Sequence, residues 1–144
     1  IFKLHQQDLR QYLRDMERIL VQTLTQTAGL MARPCPETLT LEPGQLQTGV
    51  WVRDFKIASI GIAIKQWVTY HGFAMNLTTD LRYFQAIEPC GFQGTIMTTL
   101  ERECGSVKAN EFIPAIREKL VSAFTELSAR NARSKDTSQK AEAR

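Results

Sequence analysis

The chain has 144 residues, 43% of them hydrophobic and 23% charged, a balance that fits one domain with a packed core. Its net charge of +3 is carried by the stretch from Ala129 onward, where Arg130, Arg133, Lys135, Lys140 and Arg144 outnumber Asp136 and Glu142. The remaining body is neutral and gives no electrostatic footprint for a nucleic-acid backbone. No apolar run reaches the roughly 18–20 residues of a membrane helix and no basic-then-apolar leader opens the chain, so a cytoplasmic protein with no membrane and no nucleic-acid partner is expected.

Phe2-Lys3-Leu4 reads as the end of a strand, and a chain that opens on Ile1 is expected to begin inside a domain. Residues 8–28 predict an amphipathic helix. Leu9, Tyr12, Leu13, Met16, Leu20 and Leu24 recur at helical spacing. Asp8 with Gln11 three residues on marks its start and Gly29 its stop. Arg10, Arg14, Glu17 and Arg18 fall on the solvated face. Between 33 and 48, Pro34, Pro36, Pro43 and Gly44 exclude a helix and predict a loop, long enough to be functional or a peripheral insertion.

Three short strands follow: 49–52; 59–64, with Ile60, Ile62 and Ile64 alternating with Ser59, Gly61 and Ala63; and 73–77, with Phe73, Met75 and Leu77 on one face. The small residues Ser59, Gly61 and Ala63 suit either a closely packed helix or an approaching ligand. A short helix is predicted over 80–87, capped by Asp80, with Leu81, Phe84 and Ile87 inward. A loop carries 88–92, and a short strand is expected over 95–101. The last helix runs from Ser106 or Asn110 to Ala129, with Ile113, Ile116, Leu120, Phe124 and Leu127 on its core face and Pro114 early in it. The polar tail 129–144 is expected to be disordered.

Cys35, Cys90 and Cys104 are odd in number and irregularly spaced, which does not read as a disulfide framework, and without a CxxC pair no zinc site is expected. Each thiol is either structural and buried or reactive. Cys90 lies between Pro89 and Gly91 straight after a predicted helix, a turn that exposes a thiol to close approach. Attack needs the thiolate, which a neighbouring cation favours. Taken alone, Lys56 reads as a solvated residue at a strand start, and His71 before Gly72 as a hydrogen-bonded structural residue. There is no Gly-rich phosphate loop and no carboxylate cluster at metal spacing, so no metal, no cofactor and no use of ATP are expected.

The blocks Gly49-Val50-Trp51-Val52, Lys56-Ile57-Ala58-Ser59-Ile60-Gly61, His71-Gly72-Phe73-Ala74-Met75-Asn76, Pro89-Cys90-Gly91 and Thr98-Thr99-Leu100-Glu101, in that order and spacing, resemble the lipoyl(octanoyl)transferase family over residues 1–128. The resemblance implies the α/β catalytic domain of biotin and lipoate protein ligases, a mixed sheet packed with helices. It implies transfer of an octanoyl group from acyl carrier protein to a lysine of lipoyl domains, those of 2-oxoacid dehydrogenases and the glycine cleavage H protein, in lipoate biosynthesis. In that scheme Cys90 carries the acyl group as a thioester and Lys56 activates it. Ser59, Ile60, Gly61, Gly72, Phe73 and Ala74 line the acyl site, with Phe73 and Met75 as walls, and N–H groups around Gly91 stabilise the oxyanion. The family's opening segment, with an Arg-Gly-Gly and a Tyr-His-Gly-Pro-Gly block, has no match. The chain is therefore expected to be the C-terminal two-thirds of the domain, truncated at the N-terminus and unstable or inactive alone. The competing readings are an ATP-dependent lipoate or biotin ligase relative, a non-catalytic remnant that binds carrier domains, and a structural domain with Cys90 buried.

Overall fold

The computed structural model describes residues 2–4, 7–35, 48–87 and 93–142, with side chains to Arg133. Helix α1 spans Leu9–Ala28. Its first turn is closed by the Asp8 carboxylate, which accepts from Gln11 N at 2.9 Å, and Gly29 caps its end with a bond from its N–H to the Thr25 carbonyl. Tyr12, Met16, Ile19, Leu20 and Leu24 form its buried stripe. Glu17 departs from the expected solvated face: it is only 9% exposed.

The sheet has four strands in the order β1 (Ala32–Arg33), β2 (Gly49–Val52), β3 (Phe55–Lys65) and β4 (Val68–Met75), each antiparallel to its neighbour. Among the described residues the strands are all antiparallel, and an isolated parallel bridge joins Lys56 of β3 to Met97, which lies outside them. β3 is longer than predicted and β4 starts earlier, because Gln66 and Trp67 make the hairpin turn between them. The opening residues pair there as well: Lys3 bridges Val68, Leu4 N donates to the Trp67 carbonyl, and Thr69 N donates to the Phe2 carbonyl.

Both long helices cover one face of the sheet. Val50, Val52, Ile57, Ala58 and Ile60 pack there against α1 and against Ala109, Ile116 and Leu127 of α3, which spans Ser106–Glu142. Phe73 stacks on Phe124 of α3, with ring centroids 5.5 Å apart and planes at 15°. Pro114 sits in the interior of α3 rather than in its first turn, so the Asn110 carbonyl lacks a helical donor from that residue. The helical backbone runs to Glu142. The apolar pattern ends at Leu127, which is why periodicity stops short of the observed end.

The connection from β4 differs from prediction in two places. Residues 81–86 form a 3₁₀ rather than an α-helix, capped by Asp80 as expected, but Ile87 is 56% exposed instead of inward. The expected strand over 95–101 is a 3₁₀ turn at Gly94–Ile96, the bridge residue Met97, and the start of the short helix α2 (Leu100–Cys104). Gly94 lies against the Phe84 carbonyl so closely that a Cβ would stand 1.8 Å from its oxygen, so glycine lets these two segments approach.

Candidate active site

Strand β3 carries the feature that sequence periodicity does not encode. Val50 lies opposite Ala58 and Trp51 opposite Lys56, so Ile57 is an extra residue and the register shifts. Such a bulge breaks strict alternation and re-aims side chains. Ile57 and Ala58 both enter the helix-covered core. Lys56 is thereby sent to the opposite face, which it shares with its cross-strand partner Trp51. The alternation below the bulge puts Ser59, Gly61 and Ala63 on that same face.

Lys56 is not the solvated edge residue its position in the sequence suggests. It is 0% exposed, and its ammonium stands 5.8 Å from the Trp51 ring centroid. The Lys56 carbonyl accepts from Thr98 N at 3.0 Å, so its backbone is fixed on the other side by the segment that follows 88–92. Gly49, at φ +140, flanks its side chain: a Cβ there would lie 2.7 Å from Lys56 Cε and 2.5 Å from the Ala58 carbonyl oxygen. The Gly49 N–H donates to Glu17 Oε1 at 3.2 Å across 32 residues.

Cys35 borders this cluster. Burial pushes its thiol up, the Lys56 and Arg33 cations pull it down, and the Glu17 carboxylate opposes them. Burial also raises the Cys104 thiol. A raised thiol pKa works against the thiolate that attack requires. Cys90 lies outside the described residues, as do the other residues of the block 88–92.

Ser59, Gly61, Gly72, Phe73 and Ala74 come together along one open groove of about 590 Å³, with His71 beside them. The pairings Ser59 with Ala74 and Gly61 with Gly72 explain why: small residues face each other across β3 and β4, and both helices lie on the other side. Of the two readings of the small stripe, packing under a helix is not what the described residues show. Ile60 does not join the groove; it is buried in the core beneath. Phe73 contributes to the groove while its ring is committed to Phe124, and Met75 also packs toward the core. His71 has φ +64 within a paired strand and is exposed, a backbone state that Gly or Asn adopts more readily. The sequence reading had treated it as structural, and its composition gave no other signal.

Among the described residues no group of His, Cys, Asp and Glu could hold a metal ion, and no helix is long and apolar enough to cross a membrane. The crystal structure of lipoate-protein ligase A bound with ATP has a similar fold, at a TM-score of 0.54 and 21% identity, over 83% of this chain and 46% of that one. Residues 1–121 match the lipoyl protein ligase A/B catalytic domain, and the chain belongs to that family. Curated relatives include the octanoyltransferase of Synechococcus sp. (strain JA-2-3B'a(2-13)), 38% identical over 85% of this chain and 43% of its own length. The octanoyltransferase of Rubrobacter xylanophilus is 36% identical over 88% of this chain and 52% of its own. The chain spans about half the length of the curated relatives it matches.

Proposed function

We propose that the chain is the part of an octanoyltransferase that carries its acyl-transfer centre, with Cys90 as nucleophile and Lys56 as its partner. The observation that carries this reading is the burial of Lys56: an ammonium with no exposed surface, turned by a bulge onto the groove face, is costly as mere structure. Its charge reaches a thiol in the cluster, since it pulls on Cys35. Burial pushes both described thiols up, and Cys90 is the candidate through the likeness of Pro89-Cys90-Gly91 to the family's block. Met97, which bridges to Lys56, follows Cys90 by seven residues in the sequence.

In the reaction, the Cys90 thiolate attacks the octanoyl carbonyl on the acyl carrier protein. The pantetheine sulfur leaves and takes a proton from the Lys56 ammonium. The amine of the lysine on a lipoyl domain then attacks acyl-Cys90. It loses its proton to Lys56 as the amide forms and the Cys90 thiolate returns. Thioester exchange is nearly neutral in energy and amide formation drives the sequence, so no nucleotide enters. The groove beside Ser59, Gly61, Gly72, Phe73 and Ala74 receives the alkyl chain. Lipoyl domains of 2-oxoacid dehydrogenases and the glycine cleavage H protein are the acceptors, and a cytoplasmic setting goes with them.

The test is intact mass after incubation with octanoyl-acyl carrier protein. A hydroxylamine-sensitive octanoyl adduct is expected, absent in Cys90→Ser. If none forms on the folded chain and none forms when the chain is extended to the length of its relatives, the transferase reading fails.

A further inference from the structure

Helix α1 places a buried carboxylate where its sequence pattern predicts a solvated one. Glu17 Oε1 accepts the Gly49 N–H at 3.2 Å, a buried bond between α1 and the first residue of β2. A carboxylate withdrawn from water is retained at a cost unless it is hydrogen-bonded, and the bond it makes here is to a backbone donor. Gly49 in turn lies beside the Lys56 side chain with no space for a side chain of its own: an added Cβ would stand 2.7 Å from Lys56 Cε and 3.4 Å from Nζ. Lys56 also meets the Trp51 ring, and its carbonyl takes the backbone bond from Thr98. The Gly49 backbone borders the lysine side chain, and it is held by the bond to Glu17 together with its pairing opposite Ser59.

We propose that Glu17 is a positioning residue for Lys56, acting through Gly49: its carboxylate clamps the start of β2 so that the Gly49 backbone walls the lysine side chain and aims its ammonium. The inference rests on the assignment of Lys56 to the acyl-transfer centre for its consequence in catalysis, but its geometry stands independently of that assignment. Only glycine fits at this place, because a Cβ would also meet the Ala58 carbonyl oxygen at 2.5 Å. Loss of the clamp leaves the pairing with Ser59 as the restraint on Gly49, so the wall it makes beside Lys56 is held less firmly. A small displacement of a reacting group is enough to cost an order of magnitude in rate.

The experiment compares Glu17→Met, which keeps the volume and removes the acceptor, with Glu17→Gln, which keeps an acceptor oxygen for Gly49 N–H. Two readouts are taken on the full chain: the nitrogen-15 signal of the Lys56 ammonium with its hydrogen-exchange rate, and the single-turnover rate of Cys90 acylation by octanoyl-acyl carrier protein. The expected result is a shifted, faster-exchanging Lys56 signal in Glu17→Met. Acylation should be slower by about tenfold, with KM for the donor unchanged. Glu17→Gln should restore most of both. An unchanged Lys56 signal in Glu17→Met overturns the proposal. Equal damage in Glu17→Gln overturns it too, by assigning the effect to charge rather than to the clamp. If Glu17→Met does not fold, Glu17→Ala takes its place in the same comparison. A wild-type chain that forms no thioester counts against the transferase reading alone, because the Lys56 signal still decides this one.

Discussion

Asp80 binds its neighbour two residues on through both backbone and side chain. Its Oδ1 accepts from Arg82 N at 3.0 Å and from Arg82 Nε at 3.0 Å, and its Oδ2 accepts from Arg82 Nη2 at 2.6 Å. The guanidinium hydrogen bonds, then the backbone bond, hold the carboxyl down at about 2 against an ordinary 3.8. A depressed carboxyl stabilises the fold above its unfolded value, and that contribution is lost as pH falls from 3.8 toward 2. The melting temperature of Asp80→Asn is therefore expected to fall less steeply than that of wild type over that window; equal slopes would show that the pair does not couple to folding.

At the level of elements, α1 tests how far local chemistry sets a boundary. Asp8 supplies the first-turn acceptor, so Asp8→Ala is expected to lower stability by about 1 kcal/mol, read as a lower urea midpoint at unchanged slope. Both ends of this helix were legible, since the cap, the apolar period and the glycine stop are local signals. Glu17 was not. It lies four residues after Leu13 and three before Leu20, at the margin of the apolar stripe, where the sequence assigns a charge to solvent by default. The bulge at Ile57 was illegible for a different reason: a register shift belongs to a pair of strands, and neither strand's own pattern contains it. Strand β4 was read only from Phe73 on, because Val68 to Gly72 lacks clean alternation and includes the left-handed His71. The residues expected to line the acyl site came from likeness of motif, and most of them share one groove, while Ile60 shows how a contiguous motif in a strand divides between two faces.

Across the whole molecule, the sheet divides two kinds of sensitivity. One face is buried under α1 and α3; the other carries Lys56, its surrounding cluster and the open groove. Neighbouring residues of β3 should then respond in opposite ways. Ile60, 5% exposed in the core, leaves a cavity when shortened, so Ile60→Ala is expected to cost about 2–5 kcal/mol. Gly61 has nothing within 4 Å of an added Cβ and no left-handed φ, so a side chain there meets no obstacle in the fold. Valine suits a strand better than glycine, and Gly61→Val is expected to keep or raise the melting temperature. The same side chain projects into the groove between Ser59, Gly72 and Ala74. Under the proposed transfer reaction it takes space from the octanoyl chain, and KM for the octanoyl donor should rise while the fold is at least as stable. Chemical denaturation and donor titration on this one variant separate the two effects. A rise in KM with stability intact places the alkyl chain on the small-residue face. An unchanged KM would move the acyl site elsewhere and leave Gly61 and Gly72 as open strand with no part in binding.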